Sequence, residues 1–493
     1  MGIHQYLFNA EQGGRREVLR HRFLADGIGG PRALVRANVL IGGLSLLVFF
    51  VLAQRLARSW PAVLATAALA LCLPQIYFTR GPYSEPLAQL LLVGAITVVV
   101  GSTRLRPPTA LLAGLLFGAV IGSRIDGILI LCSFVGLVFY LSLHLDDPVD
   151  PPSDASPRRV VGALVVGAAV TAAIGIVDLR VFSPTYLSDL WHDFRNAALA
   201  ATAAAVIGVA VVAARSARAR IRALIAPHRD RLADLAAIAV VAVLLALAFV
   251  RPLVQEVQGA SSGLTGGLQG RQGIEVDPTR TYAELSVHWA AWYLGWPLVL
   301  SAIGGAGILV RRSIRDRDWR VASVLITLGL PTLVYLWRPS IFPDQIWAMR
   351  RYLPFMLPLA ALCAAGLVSY SADHLAGTLR SGRARFAAGL VVTVVLLAPV
   401  VATTAPHWDH REHRLTVGEL EALCEAVDGA VVIIDDRPNL GSALTQPIAA
   451  RCGTPVARAD LSDADLLRGA REATTAEGVP LRLVTTQLDD IPL

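Results

Sequence analysis

What most constrains this chain is a succession of about twelve mostly apolar segments between residues 35 and 403. They run roughly over 35–53, 60–78, 86–101, 108–122, 127–144, 160–177, 197–213, 234–250, 288–310, 321–337, 353–370 and 386–403. A helix needs about 20 apolar residues to cross a bilayer. Most of these segments meet that length; 86–101 and 108–122 are short for a full crossing. In hydrocarbon every backbone N–H and C=O must find its partner within the segment, so such a chain folds as a bundle of membrane helices. The charge content agrees. Only 16% of the residues are charged and 55% are hydrophobic, against about a quarter charged in soluble domains. Hydrophobicity on this scale excludes intrinsic disorder, and 5 Cys in 493 residues exclude a disulfide-stapled miniprotein.

All 44 basic residues are Arg. That bias reads as a GC-rich bacterial genome, not as a nucleic-acid surface, because the Arg are spread over short loops. Their distribution sets an orientation. Loops 79–84, 123–126, 178–196, 251–287 and 338–352 hold 10 Arg in about 81 residues. The alternate set, 54–60, 102–107, 145–159, 214–233, 311–320 and 371–385, holds 20 Arg in about 73. Arg accumulates on the cytoplasmic side, so the second set is expected inside and the first outside, in a bacterial cytoplasmic membrane. Both termini then fall outside. For residues 1–36, with six Arg, this is awkward. Either an unseen helix precedes Met1 and residues 1–34 are the remnant of a first outer loop, or one span is miscounted. The first is the expectation adopted; the second stays open.

Residues 404–493 change to an ordinary soluble composition. Helical spacing over 416–427 and 441–451 and 461–473, with strand-like runs at 430–434 and 481–486, predicts a small extracytoplasmic α/β domain. Asp435 and Asp436 follow the first strand, where α/β folds often hold ligands; a solvated turn is the plainer reading. Cys424 and Cys452 are the two thiols outside the spans, and a disulfide between them is open. Cys72, Cys132 and Cys363 lie in spans and read as small apolar residues.

Chemistry is expected at the outer ends of the spans. Three turns there carry Arg with a carboxylate: Arg80 to Glu85 with Tyr83, Arg124 with Asp126, and Asp344 to Tyr352 with Trp347, Arg350 and Arg351. Charge at a bilayer edge wants partners. Local ion pairs, Arg80–Glu85 and Arg124–Asp126, are one reading, and Arg reaching for head groups is another. The sharper reading is a ring that grips a lipid phosphate, since guanidinium binds phosphate through two parallel hydrogen bonds. A carboxylate in that ring could take a proton from an acceptor hydroxyl.

The segments "ARSWPAVLATAALALCLPQIYFTRGPYSEPLAQLLL", "GAVIGSRIDGILIL" and "MRRYLPFMLPLAALCAAG" resemble the GT-C class of membrane glycosyltransferases. The nearer match is the family 39-like branch that uses polyprenyl-phosphate sugars, distantly like protein O-mannosyltransferases and aminoarabinose transferases. The likeness covers roughly 36–145 and 343–403. It implies a GT-C fold over 35–403, a polyprenyl-phosphate sugar donor in the lipid bilayer, and inverting direct displacement at the outer face onto a glycan, lipid or protein acceptor. It implies Glu85 as the first site residue, with Asp126 and Asp26 as further acids. Arg80, Arg124, Arg350 and Arg351 would be phosphate ligands, and Tyr83, Trp347 and Tyr352 would line the substrate. A divalent cation is left open, with no metal ligand assigned; His192, Asp193 and His288 are the weaker alternative. The family's base lies on the first outer loop, of which only Glu11, Glu17 and Asp26 remain here.

Two other classes stay in view. A secondary transporter also suits twelve spans, but no repeat relates residues 35–213 to 234–403 and no charge pair lies mid-span. A non-catalytic, truncated paralogue that binds lipid-linked sugar is the third.

Overall fold

The computed structural model describes residues 26–493 apart from 82, 103–104, 125–126, 145–156, nearly all of 183–222, 376–380, 409–415, 436–443, 446–447 and 486–493. The chain divides after Trp408 into two compact units.

The larger unit is helical: α1 (Asp26–Leu56), α2 (Ser59–Ala70), α3 (Leu73–Arg80), α4 (Glu85–Gly101), α5 (Pro107–Ser123), α6 (Ile128–His144), α7 (Pro157–Phe182), α8 (Arg229–Leu245), α9 (Gly263–Gln272), α10 (Ser286–Leu294), α11 (Trp296–Arg315), α12 (Trp319–Trp337), α13 (Met356–Leu375) and α14 (Gly382–Thr404). Among the described residues seven helices are long and apolar enough to cross a membrane, an eighth candidate is the bent pair α2–α3, and α4, α5 and α6 are shorter apolar helices. Every expected span meets one of these except 197–213, which lies outside the described residues. The span expected over 288–310 is two helices. Gly295 breaks it with φ +76°, and Pro297 starts the next helix. A Cβ at Gly295 would also lie 2.4 Å from Pro399.

Two features shape the bundle. One is the break between α2 and α3, which bends by 58°. Cys72 leaves helical geometry and Pro74 opens α3 without an amide to give. The freed carbonyl of Leu71 accepts from Thr404 Oγ1 at 2.7 Å, tying the break to the end of α14. The other is backbone contact between helices. A Cβ on Gly114 or Gly118 of α5 would fall 2.1 and 2.2 Å from the carbonyls of Leu164 and Ala168 on α7. Gly305 of α11 stands against the Cys363 carbonyl of α13 in the same way. Small residues replace hydrophobic driving force where helices associate in lipid. Thr171 Oγ1 adds a hydrogen bond across α5–α7, to the Leu115 carbonyl at 2.8 Å. The outward faces remain apolar: Val166, Val170, Ile174 and Val177 on α7 and Leu390, Val391 and Val394 on α14 are exposed.

The smaller unit holds α15 (Thr416–Ala426), β1 (Val431–Asp435), β2 (Val456–Ala459), α16 (Ala464–Ala476) and β3 (Leu481–Val484). The strands form a parallel sheet in the order β2-β1-β3. β1 is central, so both its faces are covered. Val432 and Ile434 pack with Val427 and Ile448, while Ile433 packs with Leu461 and Leu467. β2 is an addition to the sequence reading; its four residues, VARA, carry no apolar run. Helix 461–473 begins three residues later than expected, at Ala464, where the Asp463 side chain caps the first amides. Of 441–451, the described part includes a π-type turn at Ile448–Cys452. Cys424 and Cys452 are joined by a disulfide with Cα atoms 4.9 Å apart. Asp435 is not a solvated turn residue: it is buried at the end of β1 and accepts from Thr485 Oγ1 at 2.9 Å.

Candidate functional site

The charged turns meet at Glu85. Glu85 begins α4, with Pro86 beside it in the first turn, the favoured end for an anion. Its side chain is 0% exposed. Arg124, directly after α5, donates Nη1 to Glu85 Oε1. Arg350, in the turn Trp347–Arg351 that leads into α13, donates Nε to the same oxygen at 2.6 Å. One carboxylate oxygen thus holds two guanidiniums from different elements, and the trio carries one net positive charge. The other oxygen, Oε2, is buried and makes no hydrogen bond among the described residues.

The trio rests on a second polar layer one turn along α4. Gln89, on the same helix face as Glu85, exchanges two 3.0 Å amide hydrogen bonds with Gln75 of α3. It also donates to the Leu353 carbonyl at 2.9 Å and accepts from Ser45 of α1. Three elements are therefore clamped to the helix that carries Glu85. An aromatic wall adjoins the trio. The Arg350 guanidinium lies 4.1 Å from the Trp347 ring centre, Trp347 meets Tyr83 edge-on at 6.1 Å, and Tyr83 stacks near Tyr77 at 5.9 Å.

Electrostatics set what each group can do. Arg350 gives only its Nε to protein among the described residues, is 21% exposed, and so has both Nη groups to offer. Arg124 is 6% exposed. Glu85 is enclosed and shared by two cations, which makes it a counter-ion that aims guanidiniums rather than an accessible base.

The remaining expected residues divide. Tyr83 and Trp347 join the trio's wall. Arg80 does not pair with Glu85. It ends α3 exposed, donates Nη1 to the Trp408 carbonyl at 2.9 Å and sits 5.9 Å from that ring. Arg351 lies 5.8 Å from the Tyr335 ring. Tyr352 is fully buried with its hydroxyl toward the Tyr335 carbonyl at 3.4 Å, so it is a core residue and not a substrate-lining one. The side chains of Asp26 and Asp126, and His192 and Asp193, lie outside the described residues. His288 stands edge-on to Trp296 at 5.1 Å. No group of three His, Cys, Asp or Glu among the described residues could hold a metal.

One cluster went unread in the sequence. Arg251, after the π-type turn Ala246–Val250 that continues α8, is buried. It donates Nε to Gln255, Nη1 to the carbonyls of Ala283 and Leu336, and Nη2 to that of Trp337. Nearby, Glu284 pairs with Arg280 at 2.8 Å and accepts from the Val257 amide. Nothing in the local sequence distinguished Arg251 from an ordinary loop arginine.

No family model and no curated protein sequence matches this chain. Among solved structures it is similar to the oligosaccharyltransferase of Archaeoglobus fulgidus in its apo form, with a TM-score of 0.52 and 14% identity over 86% of this chain and 53% of that one. The fold is that of a GT-C class glycosyltransferase. A second structure of the same archaeal protein, in complex with Zn and sulfate, aligns with a TM-score of 0.47 at 12% identity, over 86% of this chain and 50% of that one. The chain spans about half the length of that protein. Within the helical bundle, the Glu85 trio joins the first turn of α4, the end of α5 and the approach to α13.

Proposed function

We propose that this protein transfers a sugar from a polyprenyl-phosphate donor to an acceptor hydroxyl at the outer face of a bacterial cytoplasmic membrane. The observation that carries the reading is the Glu85 trio, above all Arg350, whose Nε is fixed by Glu85 while neither Nη group hydrogen-bonds to the described residues. A guanidinium held in this way suits two oxygens of a phosphate. The GT-C fold supports the reaction class.

The acceptor oxygen attacks the anomeric carbon as the bond from that carbon to the phosphate oxygen breaks, with inversion. The leaving polyprenyl phosphate keeps the bonding electrons, and its new charge is met by Arg350 and Arg124. Fixed donors aimed at developing charge are commonly the largest catalytic contribution. A carboxylate takes the acceptor's proton. Glu85 is enclosed, so this role falls to Asp126, two residues after Arg124, or to Asp26. Trp347 and Tyr83 offer rings to a sugar face. A divalent cation fits poorly with the described residues, which bring one carboxylate already shared by two cations, and no step is routed through it.

Purified protein given a panel of polyprenyl-phosphate sugars tests this. Transfer or release of polyprenyl phosphate is expected, reduced about a hundredfold by Arg350→Gln, as for loss of one fixed transition-state donor. Equal rates in the wild type and the variant would overturn the assignment. Solute uptake into proteoliposomes without any transfer would favour a transporter instead. Binding of the donor without turnover would favour a non-catalytic paralogue.

A further inference from the structure

The turn that carries Arg350 is gripped twice by one helix. Glu85 opens α4 and accepts from the Arg350 Nε at 2.6 Å. Gln89, four residues on and on the same helix face, donates Nε2 to the Leu353 carbonyl at 2.9 Å. Arg350 and Leu353 are themselves three residues apart. Two points one helical turn apart on α4 thus hold two points on the facing segment. A single contact would leave that segment free to pivot; two fix its direction.

The facing segment needs a side chain for a local reason. Leu353 is followed by Pro354 and, five residues on, by Pro358, and proline has no amide to donate. The Leu357 amide bonds to the Tyr352 carbonyl at 3.0 Å instead. The Leu353 carbonyl is left out of the start of α13, where Tyr352, Leu353 and Phe355 are all fully buried. A buried carbonyl requires a donor, and Gln89 supplies it.

Gln89 is committed to this task in full. Its amide has two donor and two acceptor positions. Nε2 serves Leu353 and Gln75, while Oε1 accepts from Gln75 and from Ser45. Gln89 is 0% exposed and has no capacity left for a substrate. At the other end of the turn, Tyr293 donates its hydroxyl to Gln345 Oε1 at 3.3 Å. There the Ala348 amide also bonds to the Asp344 carbonyl at 2.7 Å. The turn is held both before and after Arg350.

We propose that Gln89 is a positioning residue for Arg350. By holding the Leu353 carbonyl, it keeps the guanidinium that Glu85 anchors facing one way before any phosphate arrives. Gln75 and Ser45 hold the Gln89 amide in the orientation that presents Nε2 to Leu353. The consequence for transfer rests on the reaction proposed above; the grip itself does not.

The test uses the full-length protein in nanodiscs and three variants. Gln89→Met loses the amide pair and the bond to Leu353. Gln75→Met loses the pair and keeps the Leu353 bond. Each leaves a buried amide partner unpaired, so the two should unfold at similarly lowered temperatures. Hydrogen exchange over residues 348–357, read by mass spectrometry, should quicken in Gln89→Met and stay near the wild type in Gln75→Met. In Gln89→Met, kcat for transfer from a polyprenyl-phosphate sugar should fall on the order of tenfold, as for a displaced catalytic group. The donor KM should change less, and the fall in Gln75→Met should be the smaller one. The double variant Gln75→Met with Gln89→Met leaves neither amide unpaired. Its stability should recover in part while kcat stays low. Recovery of kcat together with stability would overturn the proposal, since a purely structural pair behaves that way. Equal exchange in the two single variants would overturn it too. If the wild type transfers no sugar from any donor, the reaction fails, and the exchange contrast still decides the grip.

Discussion

Arg251 and Arg350 are both held within the helical unit, and their surroundings use them in opposite ways. Arg251 gives Nε, Nη1 and Nη2 to Gln255 and three backbone carbonyls, and its guanidinium covers the Trp337 ring at 4.5 Å. Little donor capacity is left for a ligand. It pins the end of α8 to the end of α12 and to the turn before α10. Arg350 is fixed through one nitrogen to a carboxylate that is itself enclosed. Burial alone does not separate a structural arginine from a binding one. The direction of the unspent donors does.

Four measurements would break or sharpen this contrast. The largest effect is expected from Glu85→Ala. It leaves two guanidiniums without their counter-charge, which costs about 3–5 kcal/mol when a buried pair is broken. Thermal unfolding in detergent should fall steeply, and transfer should be lost with it. A stable, active Glu85→Ala would mean that the trio is not a buried ion cluster. Next, Arg251→Met should lower stability by about 3 kcal/mol, because several carbonyls lose their donor. Transfer per folded molecule should stay near that of the wild type. A selective loss of transfer at unchanged stability would move Arg251 into the reaction.

Arg350→Gln should show the converse: unfolding close to the wild type and transfer down about a hundredfold, or about 2.7 kcal/mol. The smallest effect concerns the loop that Arg280 and Glu284 close. Hydrogen bonds from the Thr279 hydroxyl and amide hold the Asp277 carboxyl below the usual carboxylate range. A depressed folded pKa stabilises above the ordinary Asp value, near pH 4, and that contribution is lost as pH falls through the lowered one. Amide exchange around Thr279 should therefore accelerate only below about pH 4, with Asp277→Asn removing the dependence. Acceleration at higher pH would assign the change to another group.

The spans were legible because crossing hydrocarbon demands long apolar runs, as at residues 160–177 and 321–337. The break at Gly295 was not, since an apolar run continues through it and only the positive φ reveals the stop. β2 escaped because VARA draws its stability from pairing with β1 and not from its own composition. In the site, three Arg-and-carboxylate turns could be singled out from sequence, but their pairing could not. Glu85 bonds to partners 39 and 265 residues away rather than to Arg80 five residues before it. Tyr352 looked equivalent to Trp347 in the same turn, yet one faces the core and the other the trio. Side-chain direction in a short turn depends on packing that no spacing rule carries.

The glycine contacts between α5 and α7 bear on how this protein can change over generations. At Gly114 and Gly118 any inherited replacement adds at least a Cβ, and that atom would overlap a backbone carbonyl of the facing helix that has no rotamer by which to yield. A few residues away, Val166 and Val170 look outward and could drift among Ile, Leu and Val without penalty. Descendants of this chain should therefore keep a few of their smallest residues while exchanging many of their larger apolar ones. Ancestry would be recorded in these helices mainly by what is missing from a side chain.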